Sequence, residues 1–354
     1  MRSSGFDARL EKLPTALVAK LAVIDEMKGK WEAGAKLSPQ ILKTLKRSVL
    51  VTSTGASTRI EGAQLEDEDV EKLMRGMSLQ KFAERDKQEV KGYFELLEQV
   101  FDSWQTLSFS ESLIKHFHKE LLKYVAKDER HRGEYKKQEN KVQAVDEETG
   151  EVLGTIFETT PAYLTPKEMQ ELAQWTQQSL RQKAYHPLLV IGNFIVEFLS
   201  IHPFQDGNGR LSRVLTNLLL LQAGYEYMPY VSHEKLIEDN KADYYVALRR
   251  SQKIIWTPQA DISDWLEFFF AIISEQSKMA LGLLSGKELE KLLSEKQMEV
   301  WQFLQTAQSS APREIADHTG IAYATVRQAL NKLMDLKRIE RMGQGRATRY
   351  KVLF

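Results

Sequence analysis

Apolar residues are densest in two runs, His186–Ser200 and Leu211–Gly224, where Ile, Val, Leu and Phe recur too often for anything but largely buried elements. Both runs are expected to be helices. Upstream, Leu10, Leu13, Leu17, Leu21 and Ile24 recur at spacings of three and four, an amphipathic stripe over residues 7–30. A second helix is expected to start at Ser38-Pro39, with Ser38 as its cap and Pro39 at its first position. Val51–Gly62 then breaks the apolar pattern with small and polar residues, and Ser57 followed by Glu61 reads as a helix start near a cap. Charges are so dense from Asp67 to Lys91 that a solvated helix surface is expected there, and helical periodicity returns over Glu89–Trp104 and Ser110–Tyr124. His131–Pro161 is the part of the central region that reads as extended, with a hairpin turning at Thr149-Gly150. Thr165-Pro166 opens another helix over Lys167–Lys183; Glu238–Arg250 and the very apolar Asp264–Ile273 are two more.

Between the two apolar runs lies I-H-P-F-Q-D-G-N-G-R-L-S-R, residues 201–213. Pro203 ends the first helix, while Gly207 and Gly209 allow backbone conformations that a side chain forbids. The expected result is a tight loop emptying into a helix N-terminus, where unpaired N–H groups and the positive end of the dipole suit a phosphate. Arg210 and Arg213, three apart, share a face and can clamp phosphate oxygens. Asp206 offers a hard oxygen ligand for Mg2+. The ordinary pKa of His202, roughly 6.5, suits a general base near neutrality. A glycine-flanked Asn208 by itself marks an ordinary turn; the whole string together points to phosphate chemistry.

That string resembles the Fic signature H-P-F-x-D/E-G-N-G-R-x-x-R, with every fixed position met. The resemblance implies transfer of AMP from ATP to a Ser, Thr or Tyr hydroxyl of a protein, self-modification included. It makes His202 the base and Asp206 the Mg2+ holder. Gly207, Asn208 and Gly209 become the anion nest, and Arg210 and Arg213 grip the outer phosphates. In the related kinase branch the second glycine is a Lys; Gly209 is kept here, which favours nucleotidyl transfer. Ser57-Thr58-Arg59-Ile60-Glu61-Gly62 resembles the family's inhibitory S/T-x-x-x-E-G/N element, whose glutamate pairs with the second arginine, so Ser57 and Glu61 are expected to hold the enzyme down in cis. The hairpin within 141–160 corresponds by place to the flap that presents the target. Tyr244 and Tyr245 fall in a helix resembling N-x-x-x-Y-Y-x-x-L and imply contact with the nucleoside, although simple core packing suits one of them equally well.

The fold implied is mainly α: an N-terminal helical region over 1–105 with the inhibitory motif at 57–62, a Fic-type helical bundle with a small hairpin over 106–280, and a winged-helix domain over 288–354. The last rests on helices at Gln297–Thr306, Pro312–His318 and Tyr323–Leu336, followed by strand, Gly turn and strand, with Thr325, Arg327 and Gln328 on the expected recognition helix. Gly282–Gly286 reads as the boundary before it. From Ala311 on, nine Lys or Arg face four Asp or Glu, an excess of five. DNA is therefore a candidate partner of 311–354, and a protein or a second copy is another.

The 354 residues carry 49 basic and 49 acidic side chains, which argues against a surface built wholly for nucleic acid. No cysteine is present, so disulfides and thiolate metal sites are excluded. His116 and His118, two apart, lie on different helix faces and are expected to be surface or packing residues rather than a shared metal site. No long uncharged apolar run or leader-like start is visible, so no membrane partner and a cytoplasmic location are expected. Two alternatives stay open: removal of AMP in the same site, with Glu61 positioning a water, and a nucleotide-sensing DNA-binding regulator. The target, the preferred nucleotide and the oligomeric state, a homo-oligomer included, are not encoded in these motifs.

Overall fold

A computed structural model describes residues 3–11, 13–34, 37, 39–78, 82–145, 152–284, 293–307, 309–336, 338–343 and 348–352. The turn expected at Thr149-Gly150, the cap at Ser38 and the boundary beyond Leu284 lie outside the described residues. Two compact units form, one from 1–32 with 47–277, the other from 33–46 with 278–354.

In the first unit the order is α1 (Ser3–Leu10), α2 (Thr15–Gly34), α3 (Pro39–Ile60), α4 (Asp67–Met74), α5 (Glu84–Ser103), α6 (Glu111–Leu121), β1 (Lys141–Val145), β2 (Val152–Glu158), α7 (Thr165–Gln182), α8 (Pro187–Ile201), α9 (Asn208–Gln222), α10 (His233–Asp239), α11 (Lys241–Ile254) and α12 (Ser263–Leu284); parts of α2, α3 and α12 belong to the second unit. The stripe expected as one helix over 7–30 is two, because Pro14 lacks an amide hydrogen and disfavours helical backbone at Leu13. Glu238–Arg250, expected as one helix, is likewise split between α10 and α11 at Asn240.

The two apolar runs are the centre of this unit. Every residue of α8 from Leu188 to Ile201 is buried, and so is every residue of α9 from Arg210 to Leu221. Burying Glu197 in such a helix needs a counter-charge, and α1 supplies it: Arg9 Nη1 donates to Glu197 at 2.6 Å and Trp256 Nε1 donates to its other oxygen at 2.9 Å. Trp265 Nε1 caps the Gly192 carbonyl at 2.8 Å, where only a glycine lets α12 come so close. The charged stretch 67–91 is not all solvated, since Asp69 and Glu89 are buried. β1 and β2 pair antiparallel, Lys141 opposite Glu158 and Val145 opposite Val152, with two register shifts between.

The second unit contains α13 (Glu295–Ala307), β3 (Ser309–Ser310), α14 (Pro312–Thr319), α15 (Tyr323–Asp335), β4 (Ile339–Met342) and β5 (Arg349–Val352), with the strands in the order β3-β5-β4. Trp301, Leu304, Ile315, Val326, Leu330, Leu333 and Tyr350 form its core. Arg349 of β5 pairs with Glu314 of α14 at 2.8 Å. Among the described residues of the chain, no helix is long and apolar enough to cross a membrane.

Gly92 marks the tightest helix contact that bears on the site, because a Cβ there would meet the Leu121 carbonyl oxygen of α6 at 2.1 Å. Gly92→Ala is expected to destabilise the chain by about 1–3 kcal/mol in denaturant unfolding, as overpacking does. An unchanged midpoint would show that α5 and α6 are not held together there.

Candidate active site

α8 stops because His202 takes a left-handed conformation, φ 51°, as its C-cap. α9 starts after Gly207, also left-handed at φ 81°, so the four residues between these turns reverse the chain. Asn208 closes the loop on itself: its Oδ1 accepts from the Phe204 amide at 2.9 Å and its Nδ2 donates to the Phe204 carbonyl at 2.8 Å. Its side chain is thus a staple, and what it presents to a ligand is backbone.

His118 supports the loop from below. Its ring stacks on Phe204 at 3.8 Å and 11°, its Nδ1 accepts from the Gly133 amide at 2.9 Å, and its Nε2 faces the Asp206 carbonyl at 3.0 Å. Only a neutral imidazole can accept and donate in this way, and burial holds its pKa down to about 4. Of the two histidines of α6, His118 is therefore buried packing and His116 is exposed.

Charges gather on the first turns of α9. Arg210, nearly fully buried, pairs with Glu89 at 2.7 Å and with Asp206 at 3.2 Å. Asp206 also pairs with Arg85 of α5. Burial raises the pKa of this carboxyl, but Arg210, the Gly207 amide and Arg85 outweigh it, so Asp206 stays ionised. Arg213 is held by the end of α3: Nε donates to Ser57 Oγ at 2.8 Å, and Nη2 donates to the Ser57 carbonyl at 2.9 Å and to Glu61 Oε1 at 2.8 Å. A Cβ built on Gly209 would stand 2.2 Å from Glu61 Oε1. The carboxylate therefore lies directly against the opening turn of α9, where a helix attracts anions.

Ser57 to Glu61 ends a helix rather than starting one. α3 runs unbroken through the polar stretch and turns off at Gly62, φ 99°. Arg59 fixes that end with bonds to Glu238 at 2.6 Å and to the Leu65 carbonyl at 2.9 Å, and an ion pair with Asp67 at 3.0 Å.

Residues 108–220, which include α6, the hairpin, α8 and nearly all of α9, match the family described as Fic/DOC. This chain contains a Fic/DOC domain. Curated proteins similar to it include a probable protein adenylyltransferase of Aquifex aeolicus, 29% identical over 86 residues that make up 24% of this chain and 26% of that protein. A Fido domain-containing protein of Dictyostelium discoideum is 36% identical over 76 residues, 20% of this chain and 53% of that one. The protein adenylyltransferase Fic of Drosophila mojavensis is 42% identical over 57 residues, 16% of this chain and 11% of that one. The matches thus span about a tenth to a half of these relatives. A crystal structure of a Fic family protein from Desulfovibrio desulfuricans shares the fold over 97% of both chains, with a TM-score of 0.62 at 24% identity.

Within the Fic/DOC domain, His202 sits above the loop with Nδ1 3.4 Å from the Leu199 carbonyl, which leaves Nε2 as its free lone pair. Burial, then the charge of Lys136, hold its pKa down to about 4. Tyr244 is buried edge-on against Tyr245 at 5.1 Å and Trp265 at 5.8 Å, with its hydroxyl on Arg213, whereas Tyr245 is half-buried. The loop thus brings together His202, Asp206, Gly207, Asn208, Gly209, Arg210 and Arg213, and α3 adds Ser57 and Glu61. Glu89 and Arg85 escaped the sequence reading, Arg59 carries no role there, and His118 is expected there only as a surface or packing residue. Nothing local distinguishes them from surface charges or helix packing, since their partners lie far away in sequence. No cluster of three or more His, Cys, Asp or Glu able to hold a metal occurs among the described residues. Asp206 alone suits Mg2+ as one carboxylate beside substrate phosphates, the mode that ion prefers.

Burial holds three imidazoles, those of His118, His202 and His233, near 4, below the value of 6.5 expected unfolded. Between these values the unfolded chain binds protons that the fold refuses, so stability present above pH 6.5 is lost as pH falls towards 4. Glu234, whose carboxyl burial pushes up, works in the opposite sense, one group against three. The thermal midpoint is expected to fall steadily from pH 6.5 to 5, with proton uptake on unfolding; a flat midpoint over that range would contradict the neutral imidazoles.

Proposed function

We propose that this chain is a protein adenylyltransferase that moves AMP from ATP to a Ser, Thr or Tyr hydroxyl and is held in check by Glu61. The observation that carries the reading is the Glu61 carboxylate lying over Gly209 and bound to Arg213: an anion already fills the helix N-terminus beside a neutral histidine. The outer phosphates of ATP compete for the same donors. Glu61 can yield, because 35% of its side chain is exposed and it stands in the turn just after α3. Arg213 keeps Nη1 as a further buried donor with no hydrogen-bond partner among the described residues.

In this reading the phosphate chain lies along Gly207–Gly209, with Arg210 and Arg213 on its outer oxygens. Mg2+ at Asp206 supplies charge neutralisation when bound. His202 Nε2 takes the proton of the incoming hydroxyl while its oxygen attacks the α-phosphorus; the bond to the β-phosphate oxygen breaks and pyrophosphate leaves. β1 and β2 pair with no further strand among the described residues, which supports their use as an edge for an extended target segment, the chain's own included. An ATP-dependent reaction suits the cytoplasm. The same placement of Glu61 beside the phosphate site supports a second reading, hydrolytic removal of AMP, with Glu61 orienting a water.

For the second unit we propose a winged helix that binds DNA, with α15 as the reading helix. Arg327, Gln328 and Asn331 are exposed on one face of α15, and Tyr323 leaves 47% of its surface open. Arg327→Glu should then abolish a duplex-DNA gel shift given by the full chain at low salt. No shift at any salt would leave this unit a protein-binding module.

Intact mass after incubation with ATP and Mg2+ tests the catalytic reading. Glu61→Gly should add one AMP mass at least about tenfold faster than wild type, the effect of removing one competing charged hydrogen bond, and Glu61→Gly with His202→Ala should add none. Equal rates with and without Glu61 would remove the autoinhibition, and transfer without His202 would remove the base.

A further inference from the structure

Four consecutive carbonyls of the loop that carries His202 are all taken up by one short stretch, residues 136–140. Lys136 Nζ donates to Ile201 O at 3.0 Å, Asn140 Nδ2 to His202 O at 3.3 Å, the Lys136 amide to Pro203 O at 2.8 Å and Asn140 Nδ2 to Phe204 O at 3.0 Å. The stretch ends where β1 begins. On the other side of the hairpin, Thr159 directly follows β2. Its hydroxyl accepts from Lys136 Nζ at 2.8 Å and reaches the Asn140 carbonyl at 2.9 Å, and Lys136 Nζ also donates to Asn140 Oδ1 at 2.7 Å.

Lys136 is only 4% exposed, and the acceptors its ammonium meets here are neutral oxygens of residues 140, 159 and 201. Desolvating an ammonium is expensive, and three hydrogen bonds of this kind hold it in one place. Burial lowers its pKa to about 8, which agrees with that cost. An apolar residue would fill the same space with no such penalty, so packing alone gives no reason for a lysine. What the lysine adds is a rigid three-way junction between both legs of the hairpin and the backbone of the histidine loop.

We propose that Lys136, Asn140 and Thr159 form a positioning clamp that makes the β1–β2 hairpin and His202 move as one body, so that a target hydroxyl brought in by the hairpin arrives in register with the imidazole. His202 is where such a clamp matters most, because its left-handed backbone has no glycine freedom and is kept by its surroundings. The groups assigned to the phosphates, Gly207–Gly209, Arg210 and Arg213, take no direct hydrogen bond from Lys136, Asn140 or Thr159; the link between them is the Phe204 carbonyl, which Asn140 shares with the Asn208 side chain. Hairpin and histidine are thereby coupled directly to each other, while the phosphate donors are reached only indirectly. The catalytic half of this inference rests on the transferase reading above; the mechanical half does not.

Two measurements on the full chain test it. In the Glu61→Gly background, Lys136→Met and the milder Asn140→Ala, at a half-buried residue, should each lower kcat for transfer to a protein about tenfold or more, as small misplacements do. ATP affinity by calorimetry should stay within about twofold, because no donor to phosphate is altered. The double variant should be no worse than the worse single one, since the two residues act as one unit, and Lys136→Arg should recover part of the rate. By hydrogen exchange without ATP, Lys136→Met should speed exchange in β1, β2 and the amides of His202 and Phe204 together, leaving the 211–221 amides unchanged. A loss of kcat matched by lost ATP affinity, additive losses, or faster exchange in only one of hairpin and loop would overturn the clamp. If the Glu61→Gly parent transfers no AMP at all, the transferase reading fails, and exchange alone decides whether hairpin and loop are joined. Should Lys136→Met not fold, Asn140→Ala carries both measurements.

Discussion

Two arginines buried one turn apart on α9 must be matched by anions, and most of the site follows from that requirement. Arg210 and Arg213 are each about 3% exposed. A guanidinium so placed is tolerable only with carboxylate or carbonyl oxygen on its donors. Arg210 finds Glu89 and Asp206, while Arg213 finds Ser57 and Glu61. Those partners come from α3, α5 and the loop before α9, so satisfying the arginines draws three separate segments to one helix end. The site is thus assembled by charge matching at the start of α9, where the helix dipole already favours negative groups.

In the proposed reading the same matching lets one geometry both bind and withhold. Donors that suit a carboxylate also suit phosphate oxygens, and the carboxylate that completes Arg213 lies where a phosphate would come closest to Gly209. Glu61 is held at one end only, by Arg213, while the helix it extends is pinned by Arg59 to Glu238. A carboxylate held by one arginine at an anchored helix end is the arrangement the proposed competition needs. His202 is independent of this contest, because its backbone and tautomer are set by Leu199, Lys136 and Asn140.

Legibility differed by residue. The loop 202–213 could be read because its chemistry is contiguous: glycines that permit the turn, a proline that ends α8 and arginines on the first turns of α9 all lie within twelve positions. The apolar runs of α8 and α9 were equally plain, since total burial leaves no room for another pattern. Ser57–Gly62 was placed in the right neighbourhood but read as a helix start. Small polar residues in mid-helix look like a cap until it is known that Ser53, Ser57 and Thr58 are buried against other segments. The charged stretch 67–91 misled for the same reason, with Glu89 and Asp69 turned inward.

Sequence alone determined the mainly helical fold and the glycine- and arginine-rich loop to which the proposed chemistry is assigned, because these depend on neighbours in the chain and on local backbone preference. Only the tertiary structure decided which charges meet. Arg85 and Asp206 are 121 positions apart, Arg9 and Glu197 are 188 apart, and Lys136 reaches Ile201 across 65. Such pairs leave no periodic or local trace, since a long-range contact is selected by the space between packed segments rather than by spacing along one.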